Sequence, residues 1–267
     1  MFVIQPLATY IFYVLLKTNI NNVRYLMALL YYSWKLYIGF AFAITLLLFY
    51  PFLLLVLSVN KWKRHSFKIN ILWSRVMRML CFIAVEKIGK DSQPNRPHII
   101  CANHTSYLDI FLMYSILPHQ PFLFMGKAEI LSYPLVKTFF KRLNIPVFRG
   151  DRLKAARSFI QARKEMHAGW SIVIFPEGGI PDKNPELWPF KDGAFKLAQS
   201  SRAGILPITF TSNYLLFSDP ENYLDSARPG IAYIHFHPFI NENTVQELST
   251  EELNKLVYQQ IASGFNA

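Results

Sequence analysis

The sequence predicts an α/β fold, a mixed sheet flanked by helices, with an N-terminal membrane-embedded helical segment. Three observations carry that reading. From residue 98 onward, short apolar runs alternate with stretches of helical spacing. Between Lys35 and Asn60 there is a long apolar run with no charged residue. The charge balance then changes abruptly along the chain.

Apolar residues make up 52% of the 267 and charged residues 17%, a greasier balance than an ordinary soluble domain has. The excess is concentrated at 36–59. As a helix rising about 1.5 Å per residue, that run would reach roughly 36 Å, enough to cross a hydrocarbon core of roughly 30 Å. A shorter apolar run covers 3–16 and lacks the basic start of a signal peptide, since the first lysine is Lys17. Pro51 interrupts the long run, so 1–60 reads as membrane anchor helices, one long helix or a hairpin. Residues 61–267 are long enough for one sizeable α/β domain.

The net charge of +11 is uneven: 1–90 hold 11 Lys/Arg against the single acid Glu86, and 91–267 hold 17 against 16. A nucleic-acid binder carries its charge on the folded domain, so no nucleic-acid partner is expected. Lys61, Lys63, Arg64, Lys68, Arg75 and Arg78 instead flank the apolar run beside Trp62, a pattern that faces anionic headgroups of membrane lipids. Cys81 and Cys101 form no disulfide framework and fit a domain on the cytoplasmic side of the plasma (inner) membrane.

Within the domain, 70–84 has helical spacing. Strands are expected at 98–102, 122–125, 145–148, 171–175, 205–210 and 231–236. Helices are expected at 108–117, 135–142, 153–167 and 194–201, and a last one starts at Ser249 with Glu252 closing a capping box. His104, Arg149, Glu177 and Pro207 fall at strand ends, the edge where α/β sheets gather ligands. Pro207 in a strand implies an edge position or a bulge. His235 and His237 share a strand face without a third ligand and read as structural, so no metal is expected.

The first chemistry-bearing constellation is Asn103-His104-Thr105-Ser106-Tyr107-Leu108-Asp109. Residues five apart on a helix sit roughly 140° from each other, so His104 and Asp109 meet only if His104 precedes the helix. Thr105 or Ser106 as N-cap would put Asp109 in the first turn. An aspartate against one imidazole nitrogen fixes the tautomer and frees the other to accept a proton. Ser106-x-x-Asp109 also reads as a plain capping box. Arg149, just past a strand and beside Gly150, is placed to grip a phosphate or carboxylate, with Lys127 upstream; a solvated pair with Asp151 is the alternative. In Phe175-Pro176-Glu177-Gly178-Gly179, the glycines let backbone approach a ligand and Glu177 can orient an arginine or a hydroxyl, unless this is only a surface turn. Phe190-Lys191-Asp192-Gly193 leads into a helix.

In this order, these blocks resemble the glycerophospholipid acyltransferase family over roughly 70–215. Asn103, His104 and Asp109 match its NHxxxxD block. Phe148-Arg149-Gly150 matches the second block, Phe175-Pro176-Glu177-Gly178 the start of FPEGTRS, and Leu206-Pro207-Ile208 the fourth. The chain departs where the family has Thr-Arg-Ser and it has Gly179-Ile180-Pro181. The resemblance implies His104 and Asp109 as catalytic residues, and Lys127, Arg149, Glu177 and Gly178 at the substrate. It implies transfer of an acyl group from a thioester, acyl-CoA or acyl carrier protein, to the hydroxyl of lysophosphatidic acid, giving phosphatidic acid without a cofactor. The missing arginine leaves a lyso-amino-lipid (lyso-ornithine or glycine lipid) as an alternative acceptor. A non-catalytic lipid-binding protein is a third reading, against which both His104 and Asp109 stand, and a thioesterase, which needs water favoured over the acceptor alcohol, is a fourth. No Gly-x-Ser-x-Gly elbow occurs, so direct transfer is expected rather than a serine acyl-enzyme.

Overall fold

A computed structural model describes residues 4–90, 94–218 and 225–266; Val3, at the start of the first apolar run, lies outside them. Helix α1, Ile4–Ser58, is continuous through Pro51, so the hairpin alternative is excluded. Pro51 lies on the exposed side of the helix, where losing its N–H costs one outward-facing bond. Leu53 and Leu57 hold the following turns by packing into the core.

The apolar run has two faces. Ile38, Leu46, Leu53 and Leu57 are buried in the same core as the sheet, at spacings of three to four residues or their multiples. Phe40, Leu47, Leu48, Phe52 and Leu55 are exposed. Helix α2, Lys63–Leu80, packs its Ser66, Phe67, Asn70, Trp73, Ser74 and Met77 face inward. Trp73 stacks with Phe42 and Phe49 of α1 and donates its Nε1–H to Thr45 at 2.9 Å. The helix expected at 70–84 therefore starts earlier and stops at Leu80. Phe82, at φ 49°, turns the chain into an unexpected strand, β1, Ile83–Ile88.

The rest follows the expected alternation: β2 Ile99–Ala102, α3 Leu108–Ile116, β3 Phe122–Lys127, α4 Pro134–Leu143, β4 Ile145–Val147, α5 Arg152–His167 and β5 Ser171–Ile174. After a long connection come α6 Gly193–Ser201, β6 Ile205–Phe210, the short α7 Asn213–Leu216, β7 Gly230–Phe236, α8 Glu242–Glu247 and α9 Thr250–Ser263. Ser249 and Glu252 form the expected capping box on α9. The sheet order is β1-β7-β6-β2-β5-β3-β4. All neighbours are parallel except β6 and β7, so the sheet is mixed. The carboxyl ends of β6, β2, β5, β3 and β4 share one edge.

Pro207 is not on an edge strand, since β6 lies between β2 and β7. Its carbonyl accepts from His237 N–H at 3.1 Å, while its nitrogen has no proton to return. There the β6–β7 register slips by one residue before Ile205 meets Ile240, a bulge that absorbs the proline. His237 does not face a site: Thr209 donates its hydroxyl proton to Ile261 O at 2.7 Å and so accepts from His237 Nε2–H, also 2.7 Å away. Burial, and then the neighbouring His235, push His237 down to about 4.

Asn103 extends the β2–β6 ladder past its last backbone pair, Ala102 with Ile208. Its Nδ2 donates to Phe210 O at 2.9 Å, and its Oδ1 accepts Phe210 N–H at 2.7 Å. Each buried backbone group left unpaired costs about 1–3 kcal/mol. Asn103→Ala should therefore lower unfolding free energy by about 2–4 kcal/mol, read from denaturant titration of the detergent-dispersed protein; a loss below about 1 kcal/mol would contradict this ladder role.

Candidate active site

Five strand ends deliver the site. β2 delivers His104, β3 Lys127, β4 Arg149, β5 Glu177 and Gly178, and β6 leads to Asn213. His104 stands before α3 and Asp109 in its first turn, as the spacing requires. The N-cap is Tyr107 rather than Thr105 or Ser106. Ser106 Oγ instead accepts from Leu108 N–H at 3.1 Å and donates to Phe217 O, so it ties the turn to the end of α7.

Asp109 is fully buried. Its Oδ2 accepts from His104 Nδ1 at 2.9 Å, Thr105 N–H at 2.7 Å and Ser106 N–H at 2.9 Å. Its Oδ1 accepts from Asn213 Nδ2 at 2.6 Å. Four donors face the carboxylate, so the imidazole proton sits on Nδ1 and Nε2 carries the lone pair. The capping box that Ser106-x-x-Asp109 suggests is only half formed: Asp109 reaches back to the Ser106 amide, while the Ser106 hydroxyl takes the Leu108 amide rather than that of Asp109. One carboxylate does both jobs. The His104 ring stacks on Phe175 with centroids 4.2 Å apart and planes 14° apart, which restricts its rotation. The arrangement can take a proton from a hydroxyl at Nε2 while Asp109 stabilises the imidazolium.

Glu177 is buried and ties two segments together. Its Oε1 accepts His104 N–H at 2.8 Å and its Oε2 accepts Trp188 N–H at 2.9 Å. It pairs with no arginine among the described residues. Gly178, at φ +80°, follows in a backbone conformation that side-chain-bearing residues rarely adopt. A Cβ there would lie 2.7 Å from Arg149 Nη2 and 2.9 Å from Lys191 Nζ. On Gly179 a Cβ would lie 3.3 Å from Lys127 Nζ. Lys127 and Arg149 therefore converge on the glycine turn, and the alternative Arg149–Asp151 pair does not form, since Asp151 pairs with Lys154.

Two residues at this edge escape a reading of the sequence. Asn213 lies far along the chain from Asp109, and no local pattern marks it. Lys191 stands in a motif that reads, along the chain, only as a helix entry. The basic flank also needs correction. Lys63 pairs with Glu165 at 2.7 Å and Arg64 donates to Ala168 O at 2.8 Å, both beside Trp170, so these two cations are held by the domain. Lys61, Lys68 and Arg75 remain exposed.

Fold and site together are those of an α/β group-transfer enzyme built around a histidine–aspartate pair. The acyltransferase family model matches residues 84–211, a stretch that contains all four sequence blocks. A 1-acyl-sn-glycerol-3-phosphate acyltransferase of Chlamydomonas reinhardtii is 26% identical over 240 residues, 88% of this chain and 68% of that protein. Another, from Borreliella burgdorferi, is 28% identical over 192 residues, 70% of this chain and 74% of that one. The crystal structure of the 1-acyl-sn-glycerophosphate acyltransferase PlsC from Thermotoga maritima superposes with a TM-score of 0.73 at 23% identity, covering 91% of this chain and 96% of that one, a likeness of fold.

Burial pushes the Glu177 carboxyl up to about 7, Asp109's charge adds to the rise, and the Trp188 and His104 amides oppose it. A carboxyl raised by folding binds its proton more tightly in the native state. Its contribution is thus fully present below the ordinary value of 4.5 and is lost as pH rises through about 7. Wild-type melting temperature should fall relative to that of Glu177→Gln as pH rises from 4.5 to 7. Parallel melting curves for the two proteins across that range would contradict the assignment.

Proposed function

We propose that this protein transfers a fatty acyl group from an acyl thioester to the free hydroxyl of 1-acyl-sn-glycerol-3-phosphate, giving phosphatidic acid. The observation that carries the reading is the His104 Nδ1–Asp109 contact of 2.9 Å, which leaves Nε2 as the base beside a turn lined by cations. The related 1-acyl-sn-glycerol-3-phosphate acyltransferases support the choice of acceptor. His104 Nε2 takes the hydroxyl proton as the oxygen attacks the thioester carbonyl. The carbon–sulfur bond then breaks, and the leaving thiolate recovers that proton from His104. The donor is acyl-CoA or acyl carrier protein, and donor and acceptor react directly in a ternary complex. Lys127 and Arg149 hold the acceptor phosphate, and Gly178 keeps the floor of that site open.

One helix of the described residues, 24–58, is long and apolar enough to cross a membrane. We infer that the exposed face of α1 sits in lipid, with Lys61, Lys68 and Arg75 toward anionic headgroups and the domain on the cytoplasmic side of the plasma (inner) membrane. Both cysteines are free and buried, which suits a reducing compartment. Holding the site at the interface concentrates an acceptor that is itself membrane-soluble.

His104→Ala should lower turnover of lysophosphatidate by at least roughly 10³-fold, with Asp109→Asn also crippled. A folded His104→Ala protein of near-normal activity would sink the mechanism. Replacing Leu48, Phe52 and Leu55 by Asn should move the protein toward the soluble fraction on flotation with anionic vesicles, because these side chains are exposed and bear no core load. Unchanged flotation would remove the outer face of α1 from the membrane contact.

A further inference from the structure

The third sequence block lacks its arginine, with Ile180 in that place, yet the fold brings another cation to the same turn. Lys191 N–H donates to Pro176 O at 2.9 Å, and Trp188 N–H to Glu177 Oε2 at 2.9 Å. The segment before α6 is thus stitched along the turn that ends β5. The Lys191 ammonium and the Arg149 guanidinium both lie within 3 Å of one point, the place a Cβ on Gly178 would occupy, and Lys127 Nζ closes the far side over Gly179.

All three cationic side chains are exposed at this mouth. None pairs with a carboxylate among the described residues, and the acids nearest in sequence to Arg149 and Lys191, Asp151 and Asp192, are engaged by Lys154 and Lys196. The charged form of Lys191 is disfavoured by partial burial first, then by Arg149 and Lys127. Three like charges gathered without a counter-ion repel one another, and an arrangement of this kind is relieved by a polyanion.

We propose that Lys191 is a phosphate-binding, specificity-determining residue of the acceptor site, taking the place of the absent arginine and completing with Lys127 and Arg149 a three-cation cradle over Gly178 and Gly179. The ligand class is a phosphomonoester dianion, so the inference rests on the acceptor reading above. Lysine supplies a movable point charge where arginine would supply a fork.

The test is steady-state kinetics on the full-length, detergent-dispersed protein with lysophosphatidate and, separately, with monoacylglycerol, the same acceptor without its phosphate. Lys191→Ala and Lys191→Gln should raise KM for lysophosphatidate by about 10- to 100-fold, the effect of losing one charge-assisted bond. kcat should move far less, so the preference for lysophosphatidate over monoacylglycerol collapses. Lys191→Arg should keep most of that preference, and Ile180→Arg in the Lys191→Ala background should restore part of it. An unchanged KM, or equal losses on both acceptors, overturns the role of Lys191. If wild type instead prefers a phosphate-free amino-lipid, the acceptor reading itself fails before any variant is made. A melting temperature measured for each variant separates a folding defect from a binding one, and Lys191→Gln, which keeps the aliphatic stem, decides the matter if Lys191→Ala unfolds.

Discussion

The rest of the site depends on the burial of one carboxylate. Asp109 has no exposed surface, and a bare charge there would be prohibitive. Four N–H donors from three places make it tolerable: the His104 ring, the Thr105 and Ser106 amides, and Asn213 after β6. Those bonds also set the geometry. The amides curl 105–107 back over the first turn of α3, the ring proton is confined to Nδ1, and the β6–α7 junction is drawn toward β2. Asn103 repeats this tie one step earlier through the Phe210 backbone. In the 103–109 block, therefore, the polar residues hold strands and loops in place, whatever chemistry they are proposed to supply.

The cation cluster is arranged on the opposite principle. Asp109 is satisfied from within the protein, whereas Lys127, Arg149 and Lys191 converge without an acid among the described residues. A satisfied network rigidifies, as the proposed proton transfer at His104 requires. An unsatisfied one leaves its electrostatic potential available to a ligand. Glu177 joins the two regions without neutralising either. Both of its oxygens are taken by backbone amides, one from His104 and one from Trp188, so it serves as a brace between the His104 turn and the segment that carries Lys191.

Much of the sheet is legible in the sequence because its strands are short apolar runs bounded by turns, and the run at 205–210 coincides with β6 to the residue. The first strand is not legible. Ile83–Ile88 follows α2 with no glycine or proline between them, and Phe82 makes the turn in a left-handed conformation that its side chain disfavours. The His104–Asp109 pair is legible because five-residue spacing admits one solution, with the histidine outside the helix. Asn213 and Lys191 are not, because each meets its partners through the sheet rather than along the chain. Charge counting also assigns Lys63 and Arg64 to lipid headgroups, whereas Glu165, Trp170 and the Ala168 carbonyl occupy them. Composition counts charges; only the tertiary fold decides which are already paired.

The same limit applies to the boundary that composition draws near residue 60, which is not a break in packing. Phe111, two residues past Asp109 on α3, lies edge-on to both Phe42 of α1 and Trp73 of α2. Its carbonyl accepts the Ser74 hydroxyl at 2.6 Å. The helix that carries Asp109 is thus clamped by the two helices nearest the proposed membrane surface. Aromatic pairs of this kind contribute about 0.5–1.5 kcal/mol each beyond the area they bury, so removing α1 would loosen α3 as well as take away the exposed apolar face. On the membrane reading proposed above, the apolar run serves two solvents at once, the protein core on its Ile38–Leu46–Leu53 side and hydrocarbon on its Leu48–Phe52–Leu55 side. That double requirement explains why it is apolar all round where an ordinary surface helix would be striped.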